Sequence, residues 1–179
     1  HIRENDQVIV PDTLELLEPG VRLIVAVNEG PTLANRFAQV SRIEKVKKAL
    51  TDWAESEPAV TMDTFSLVKN SGSVAVDLRQ PDEWVSVVNE YQPDLKSSKP
   101  GLSSLSTAVE LASAQGGDDQ QNAAILYITP LPTEAELAGL QDILSRAELA
   151  NTRLFIWLIG PESYNNDAKA APLRAAAET

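Results

Sequence analysis

Side chains that could carry out chemistry are scarce in this sequence, and the useful ones are oxygen donors. Its 179 residues include no cysteine and a single histidine, His1. Thiolate nucleophiles, cysteine-bound zinc and Ser-His-Asp machinery all need a cysteine or an internal histidine, so these mechanisms are excluded. Carboxylate, amide and hydroxyl oxygens remain, and oxygen ligands suit hard cations such as Mg²⁺ and Ca²⁺. The chemistry to consider is therefore cation binding or protein binding.

The overall charge argues against nucleic acid as a partner. With 15 basic and 26 acidic side chains the formal charge is −11, which repels phosphate. The only basic cluster in the sequence is Lys45, Lys47 and Lys48, which lies on the polar side of a predicted helix and is interpreted as a solvated face. No window approaches the roughly 18 apolar residues of a membrane span. We expect one globular domain that neither binds nucleic acid nor crosses a membrane.

The elements that must position these residues begin with buried strands. Nearly continuous apolar runs of strand length at 21–27, 123–129 and 153–159 predict strands that are covered on both faces, as in a parallel sheet. Two further runs, at 60–67 and 73–78, are separated by the turn residues 69–72 and predict an antiparallel hairpin. The second run alternates between apolar and polar residues, which is typical of an edge strand with one solvated face.

Amphipathic helices are predicted between the strands. Ser41 with Glu44, and Thr133 with Glu136, have the spacing of capping boxes at helix starts. Further helices are expected from Pro81, Leu102 and Pro172, and the three tryptophans are expected to pack in the core: Trp53, Trp84 and Trp157.

The resulting fold class is α/β: a doubly wound, mostly parallel sheet with one antiparallel edge strand and helices on both faces. The strand at 21–27 is predicted to be central, between those at 60–66 and 123–129. In such a sheet the binding crevice lies beyond the carboxyl ends of the strands, at the loops after Val27, before Ser103 and after Thr129. The Gly-rich Asp118-Asp119 connection is expected to be only a solvated turn.

Several segments, in this order, resemble a von Willebrand factor type A domain. They are Val-Arg-Leu-Ile-Val-Ala-Val-Asn-Glu-Gly-Pro-Thr at 21–32 with the amphipathic helix after it, Thr-Phe-Ser at 64–66, the 103–112 segment, the Ile-Leu-Tyr-Ile-Thr strand, and Leu-Ile-Gly at 158–160. The resemblance spans residues 21–178. It implies the Rossmann-like sheet already predicted from the apolar runs.

The resemblance also implies a set of crevice positions. The family holds a divalent cation with Asp-x-Ser-x-Ser after the first strand, a Thr on a later loop and an Asp after the fourth strand. At the matching positions this chain has Asn28, Gly30, Thr32, Ser103 and Pro130, and none of them is a carboxylate. Because carboxylates offset the dehydration of the ion, the metal site is degenerate. We expect no metal and no other cofactor, with weak Mg²⁺ or Ca²⁺ binding as the alternative, and we expect Glu29 to face solvent.

The function that the resemblance implies is a non-enzymatic protein-interaction or scaffold domain of a larger bacterial protein. Its protein partner is unidentified, and an extracellular or cell-envelope location, with a membrane-anchored parent, rests on the resemblance alone. The alternative is a cell-adhesion module in which a cation held weakly by Asn28, Thr32 and Ser103 recruits a partner carboxylate. An enzyme is disfavoured, because the crevice loops lack internal histidine, cysteine and paired carboxylates, and no Gly-x-Gly-x-x-Gly motif is present.

The predicted domain organisation is a lead-in segment at 1–20 followed by the domain at 21–179. The chain lacks an initiator Met, so we interpret it as part of a longer protein. Members of the family usually continue, after their last helix, with a Gly pair and a further strand. We therefore expect a sheet truncated before that strand, with an edge at 153–159. Since an exposed apolar edge invites pairing, we expect it to be covered by residues 1–20, by residues 161–172 or by a second copy.

Overall fold

The computed structural model describes residues 2–4, 7–9, 20–56, 63–114 and 122–177. The predicted Asp118-Asp119 turn and the beginning of the predicted 60–67 strand lie outside these ranges. The strands are β1 (Ile2–Glu4), β2 (Gln7–Ile9), β3 (Val21–Val27), β4 (Arg36–Phe37), β5 (Val40–Ser41), β6 (Thr64–Lys69), β7 (Gly72–Leu78), β8 (Asn122–Thr129) and β9 (Arg153–Leu158). The α-helices are α1 (Arg42–Ser56), α2 (Pro81–Glu90), α3 (Ser103–Ala114), α4 (Leu140–Leu149) and α5 (Ala171–Ala177).

A five-stranded sheet in the order β7-β6-β3-β8-β9 forms the centre of the fold. β3 pairs in parallel with both β6 and β8, β8 pairs in parallel with β9, and β6 pairs antiparallel with β7. Val25, at the middle of β3, is completely buried, and Leu126 beside it in β8 packs against the core. The predicted fold class, the central strand and the antiparallel edge are confirmed.

Each face of the sheet is covered by helices. Successive side chains of β3 point to opposite faces of the sheet. Val25 and Val27 belong to one buried cluster, and Ile24 and Ala26 belong to the other. Helices α1 and α2 complete the first cluster, with Trp84 fully buried and Trp53 and Trp157 partly buried against it. Helices α3, α4 and α5 complete the second. Within the ranges that the structure describes, no helix has both the length and the apolar character needed to cross a membrane.

The helix starts agree with the capping signals in one case and only in part in the other. At α1 the Ser41 backbone N–H donates to Glu44 Oε2 at 2.6 Å, and the Glu44 N–H donates to Ser41 Oγ at 3.2 Å, as expected for a capping box. Thr133 N–H also donates to Glu136, yet that turn is a short 3₁₀ helix and α4 begins only at Leu140. The predicted start of that helix is wrong, because Gly139 takes up a left-handed conformation at φ 89° and interrupts the run.

Strand β7 departs from the simple alternation that its sequence shows. The β6–β7 register shifts on both sides of Leu67, and Asp77 lies at φ 53°. This irregularity changes the phase of the strand, so that Val74 and Val76 are 39% and 41% exposed while Leu78 packs in the core. An edge strand is confirmed, but its apolar side chains do not all lie on the buried face.

Strand β9 is the other edge of the sheet. Strands β1 and β2 pair with each other in a separate two-stranded sheet, and residues 162–170 form 3₁₀ turns rather than a strand. Helix α5 packs beside β9, and Phe155 is 53% exposed. In the described part of the chain, therefore, no strand pairs with the outer side of β9. Residues 10–19 lie outside the described ranges, so cover by residues 1–20 and cover by a second copy both stay predictions.

A buried ion pair ties the beginning of β3 to the rest of the sheet. Arg22 Nε donates to Asp77 Oδ1 at 2.8 Å, and Arg22 Nη1 donates to the Leu111 carbonyl oxygen at 2.6 Å. Its side chain is only 6% exposed, so these two contacts connect the central strand with β7 and with α3 in a region that water barely reaches.

We expect Arg22→Ala to lower the free energy of unfolding by about 3 kcal/mol, because it removes the guanidinium from a part-buried carboxylate. Urea denaturation of the purified chain measures this change. Lys48→Ala is the matched control, since Lys48 pairs with Asp52 on an exposed helix surface and its removal should leave the urea midpoint unchanged. Equal midpoints for the Arg22→Ala variant and the wild type would contradict the assigned role.

Candidate functional site

The crevice at the carboxyl end of β3 is built from two polar residues that follow the strand directly. Asn28 and Glu29 are each only 1% exposed. The Asn28 backbone N–H donates to the Ile128 carbonyl at 2.9 Å and so prolongs the β3–β8 pairing by one residue. This bond fixes the direction of the Asn28 side chain, which lies between the ends of β3 and β8.

The Asn28 amide both donates and accepts hydrogen bonds in the crevice. Its Nδ2 donates to Thr129 Oγ1 at 2.9 Å. Its Oδ1 accepts from the Gly101 backbone N–H at 2.9 Å and lies 3.4 Å from Asn70 Nδ2. The amide oxygen therefore faces two N–H donor groups of the chain.

Asn70, in the β6–β7 turn, connects the end of β3 with the chain between α2 and α3. We call residues 91–101 the crevice segment. Asn70 Oδ1 accepts from the Glu29 N–H at 3.2 Å, and its Nδ2 lies within 3.1 Å of three acceptors. These acceptors are the Glu29 carbonyl, Ser98 Oγ and the Lys99 carbonyl. One side chain thus holds the crevice segment over the ends of two strands.

Glu29 anchors the beginning of the same segment. Its Oε1 accepts from the Tyr91 hydroxyl at 2.8 Å and from the Asp94 backbone N–H at 3.1 Å. The expectation that Glu29 faces solvent is wrong, because the chain after α2 folds back over β3 and supplies donors to the carboxylate. Burial raises the pKa of the Tyr91 hydroxyl well above its usual value, and the neighbouring Glu29 raises it further.

Packing closes the remainder of the crevice. A side chain added at Gly30 would lie 2.6 Å from the Pro100 ring, so the absence of a Cβ at Gly30 lets the crevice segment approach the backbone. The Tyr127 hydroxyl donates to the Gly101 carbonyl at 2.8 Å, and burial raises the pKa of Tyr127 as well. Within the segment, Asp94 Oδ1 accepts from the Lys96 and Ser97 N–H groups, and the Ser97 bond is the largest cause of the lowered pKa of Asp94.

The five positions selected from the sequence do not form one cluster of ligands. Asn28 and Pro130 are buried, and Thr129 Oγ1 connects them by accepting from Asn28 and donating to the Pro130 carbonyl. Thr32 lies exposed in the 3₁₀ turn Pro31–Ala34, and Ser103 is the exposed first residue of α3. Gly30 contributes space for Pro100 rather than a ligand. In the ranges that the structure describes, no group of three or more His, Asp or Glu residues is arranged to hold a metal ion.

Sequence reasoning missed the residues that close the crevice. Glu29, Asn70 and Tyr91 come from three different parts of the chain, and none belongs to a recognisable spacing. The prediction that Lys47 is solvated is also wrong. Its Nζ donates to the Asn89 and Tyr91 carbonyls and so connects the end of α2 with α1. The available signals were the Asn70 position in a predicted turn and a separate segment, later in the chain, rich in proline and serine.

Comparison with known proteins supports the fold and little more. No protein-family model matches the chain, and no curated protein sequence matches it. The solved SpRpn10 VWA domain superposes with a TM-score of 0.63 at 13% identity, over 90% of this chain and 84% of that one.

Two bacterial structures are similar in the same way. An aerotolerance-related membrane protein from Bacteroides fragilis NCTC 9343 gives a TM-score of 0.60 at 12% identity, over 79% of this chain and 68% of that one. The conserved hypothetical protein BatB from Bacteroides thetaiotaomicron gives 0.57 at 18% identity, over 76% of this chain and 65% of that one. The chain therefore has a von Willebrand factor type A-like fold, and it spans just under two thirds of the BatB structure.

We expect Asn28→Asp to destabilise the protein by about 2 kcal/mol at pH 8, because it removes a donor and buries a carboxylate that no cation compensates. Burial raises the pKa of such a carboxyl in the folded state, so its protonated form is tolerated better. The deficit should therefore shrink as the pH falls from 8 to 4, through the raised pKa toward the unfolded value of about 3.9. Urea denaturation at the two pH values measures it, with the exposed Asn35→Asp as the control. A deficit independent of pH would contradict the buried position of this side chain.

The buried tyrosines predict a second dependence on pH. Tyr91 and Tyr127 keep their protons in the folded protein beyond the usual tyrosine pKa of about 10, whereas the unfolded chain releases them there. Stability should consequently fall as the pH rises past 10. A titration from pH 7 to 11 that follows the absorbance of ionised tyrosine tests this. Tyr91→Phe should leave the absorbance change of the folded protein the same as in the wild type, and it should reduce the absorbance change of the urea-unfolded protein. A smaller ionisation signal in the folded variant would show that Tyr91 titrates normally.

Proposed function

We propose that this chain is a non-enzymatic protein-interaction domain that works without a metal ion. One observation carries the proposal: the polar groups at the crevice satisfy one another instead of facing an empty binding site. Asn28 binds Thr129, Asn70 and Gly101, and the Glu29 carboxylate binds Tyr91. A domain of this fold whose crevice is occupied by its own chain retains its outer loops for contacts with other proteins.

The energetics of the crevice favour this proposal over cation-dependent adhesion. A cation at Asn28 would have to displace hydrogen bonds from Gly101 and Asn70, each with a net stabilisation of about 1 kcal/mol. Thr32 and Ser103, the two hydroxyls that would join it, supply no formal charge, and the nearby carboxylate of Glu29 is directed at Tyr91. Affinity for Mg²⁺ or Ca²⁺ depends on the number of carboxylates that face the ion, and this site offers none.

The setting of the domain is part of the proposal. We infer that it belongs to a larger bacterial protein and acts outside the cell or in the cell envelope, with the parent protein anchored to a membrane. The similarity to a structure described as an aerotolerance-related membrane protein supports this inference. The partner is a protein that this chain contacts through its surface loops.

We expect millimolar Mg²⁺, Mn²⁺ or Ca²⁺ to leave the melting temperature of the wild type unchanged, because an ion stabilises a protein only by binding its folded state. Selection of a phage-displayed random peptide library on the immobilised chain should enrich binders equally well in EDTA and in Mg²⁺. Asn28→Asp combined with Pro130→Asp restores two carboxylates and is the comparison variant in which cation binding should appear. Gly30 is kept in that variant, since a serine at this position would meet Pro100.

Two outcomes would overturn the proposal. A rise in the wild-type melting temperature with cation, abolished by Ser103→Ala, would restore the adhesion hypothesis with its weak site at Asn28, Thr32 and Ser103. Enrichment of no peptide under either condition would remove the support for an interaction domain altogether.

A further inference from the structure

A small hairpin at the rim of the crevice exposes apolar surface. Strands β4 and β5 pair antiparallel, with Phe37 opposite Val40, and we call residues 36–41 the rim hairpin. Phe37 is 76% exposed and Val40 is 40% exposed. Because directly opposed residues of an antiparallel pair lie side by side, these two side chains form one apolar patch. The patch contributes little to the core, since most of the Phe37 ring contacts no other part of the protein.

The turn of the rim hairpin has a strained backbone. Its turn residues, Ala38 and Gln39, both have positive φ, at 50° and 67°. Such a turn favours Asn-Gly, and a left-handed conformation costs an ordinary residue about 1 kcal/mol. The base of the hairpin is held firmly, because the Arg42 N–H donates to the Asn35 carbonyl and Ser41 takes part in the capping box of α1. These hydrogen bonds at the base hold a strained turn at an exposed position.

Basic side chains lie in and next to the rim hairpin of a chain that is otherwise acidic. Lys45 Nζ lies 4.9 Å from the centre of the Phe37 ring. Arg36 belongs to the hairpin, and Arg42 follows it and donates from Nη1 to the Thr32 carbonyl. The one acid among these residues, Glu44, is engaged by Ser41, and its pKa is lowered by those hydrogen bonds. With a net charge of −11 on the whole chain, three basic side chains between residues 36 and 45 are a local exception.

We propose that the rim hairpin is the docking surface for an acidic segment of a protein partner that carries an apolar anchor side chain. This inference rests on the proposed function and names the surface and the partner chemistry. The anchor would cover Phe37 and Val40, while partner carboxylates would meet Arg36, Arg42 and Lys45. An anionic membrane fits less well, because the apolar patch is formed by only two side chains.

Fluorescence anisotropy with labelled synthetic peptides tests this proposal on the full chain. The probes are 12-residue peptides in which Asp or Glu surround one Leu, Phe or Trp, and the matched peptides carry Lys in place of the acids. We expect the wild type to bind the acidic set and not the basic set, with affinity that falls as salt increases. Phe37→Ser should weaken binding at least tenfold, and Arg36→Glu with Lys45→Glu should abolish it. Phe155→Ser, which removes an exposed ring on β9, is the matched control and should bind as the wild type does.

Several results would overturn the proposal. They are unchanged binding by Phe37→Ser, an equal loss in Phe155→Ser, failure of every acidic peptide to bind, and binding to phosphatidylserine vesicles in place of peptides. Because Phe37 and Phe155 are both exposed, we expect both variants to keep the wild-type melting temperature. Measuring that temperature tests whether a loss of binding comes from unfolding. If the library-selected peptides bind the wild type and Phe37→Ser alike, the docking surface lies elsewhere while the proposed interaction function stands.

Discussion

The buried amide of Asn28 joins four parts of the chain that converge at the crevice. It lies where β3 ends, donates to Thr129 at the end of β8, and accepts from Asn70 in the β6–β7 turn and from Gly101 before α3. A neutral group that both donates and accepts is required there, because the neighbours include donors and an acceptor in a place that water does not reach. A carboxylate would satisfy the two donors but would need a counter-ion. The neutral side chain makes the crevice self-contained, and the position of the crevice segment follows from it.

Glu29 becomes tolerable because of this arrangement. A buried carboxylate is costly unless hydrogen-bond donors surround it, and here the Tyr91 hydroxyl and the Asp94 backbone N–H supply them. Both donors belong to the crevice segment, so the carboxylate that closure removes from water is also the acceptor that holds the segment closed. The closed position of the crevice segment and the burial of Glu29 thus depend on the same hydrogen bonds.

The sheet was predictable from the sequence because its determinants are repeated and local. Continuous apolar runs identified β3 and β8 as central strands, because apolar residues on both faces of a strand indicate that both faces are buried. The crevice was not predictable, because its closure depends on single hydrogen bonds between residues 26 to 101 positions apart, as between Tyr127 and Gly101 or between Asn28 and Thr129. No periodicity marks such contacts. The late start of α4 at Leu140 and the phase change in β7 have the same origin, because one left-handed residue, Gly139 or Asp77, overrides the pattern around it.

A closed crevice also changes which surfaces can contribute to binding. The side chains that would face a ligand in an open crevice are already paired, and exchanging one hydrogen bond for another yields little free energy. Apolar area that is exposed in the free protein contributes more to the binding free energy, roughly 25 cal/mol for each Å² that a partner covers. The rim hairpin offers such area at Phe37 and Val40, and it begins only a few residues after Gly30. The same stretch of chain that seals the crevice against Pro100 therefore carries, a few residues later, exposed apolar surface at Phe37 and Val40.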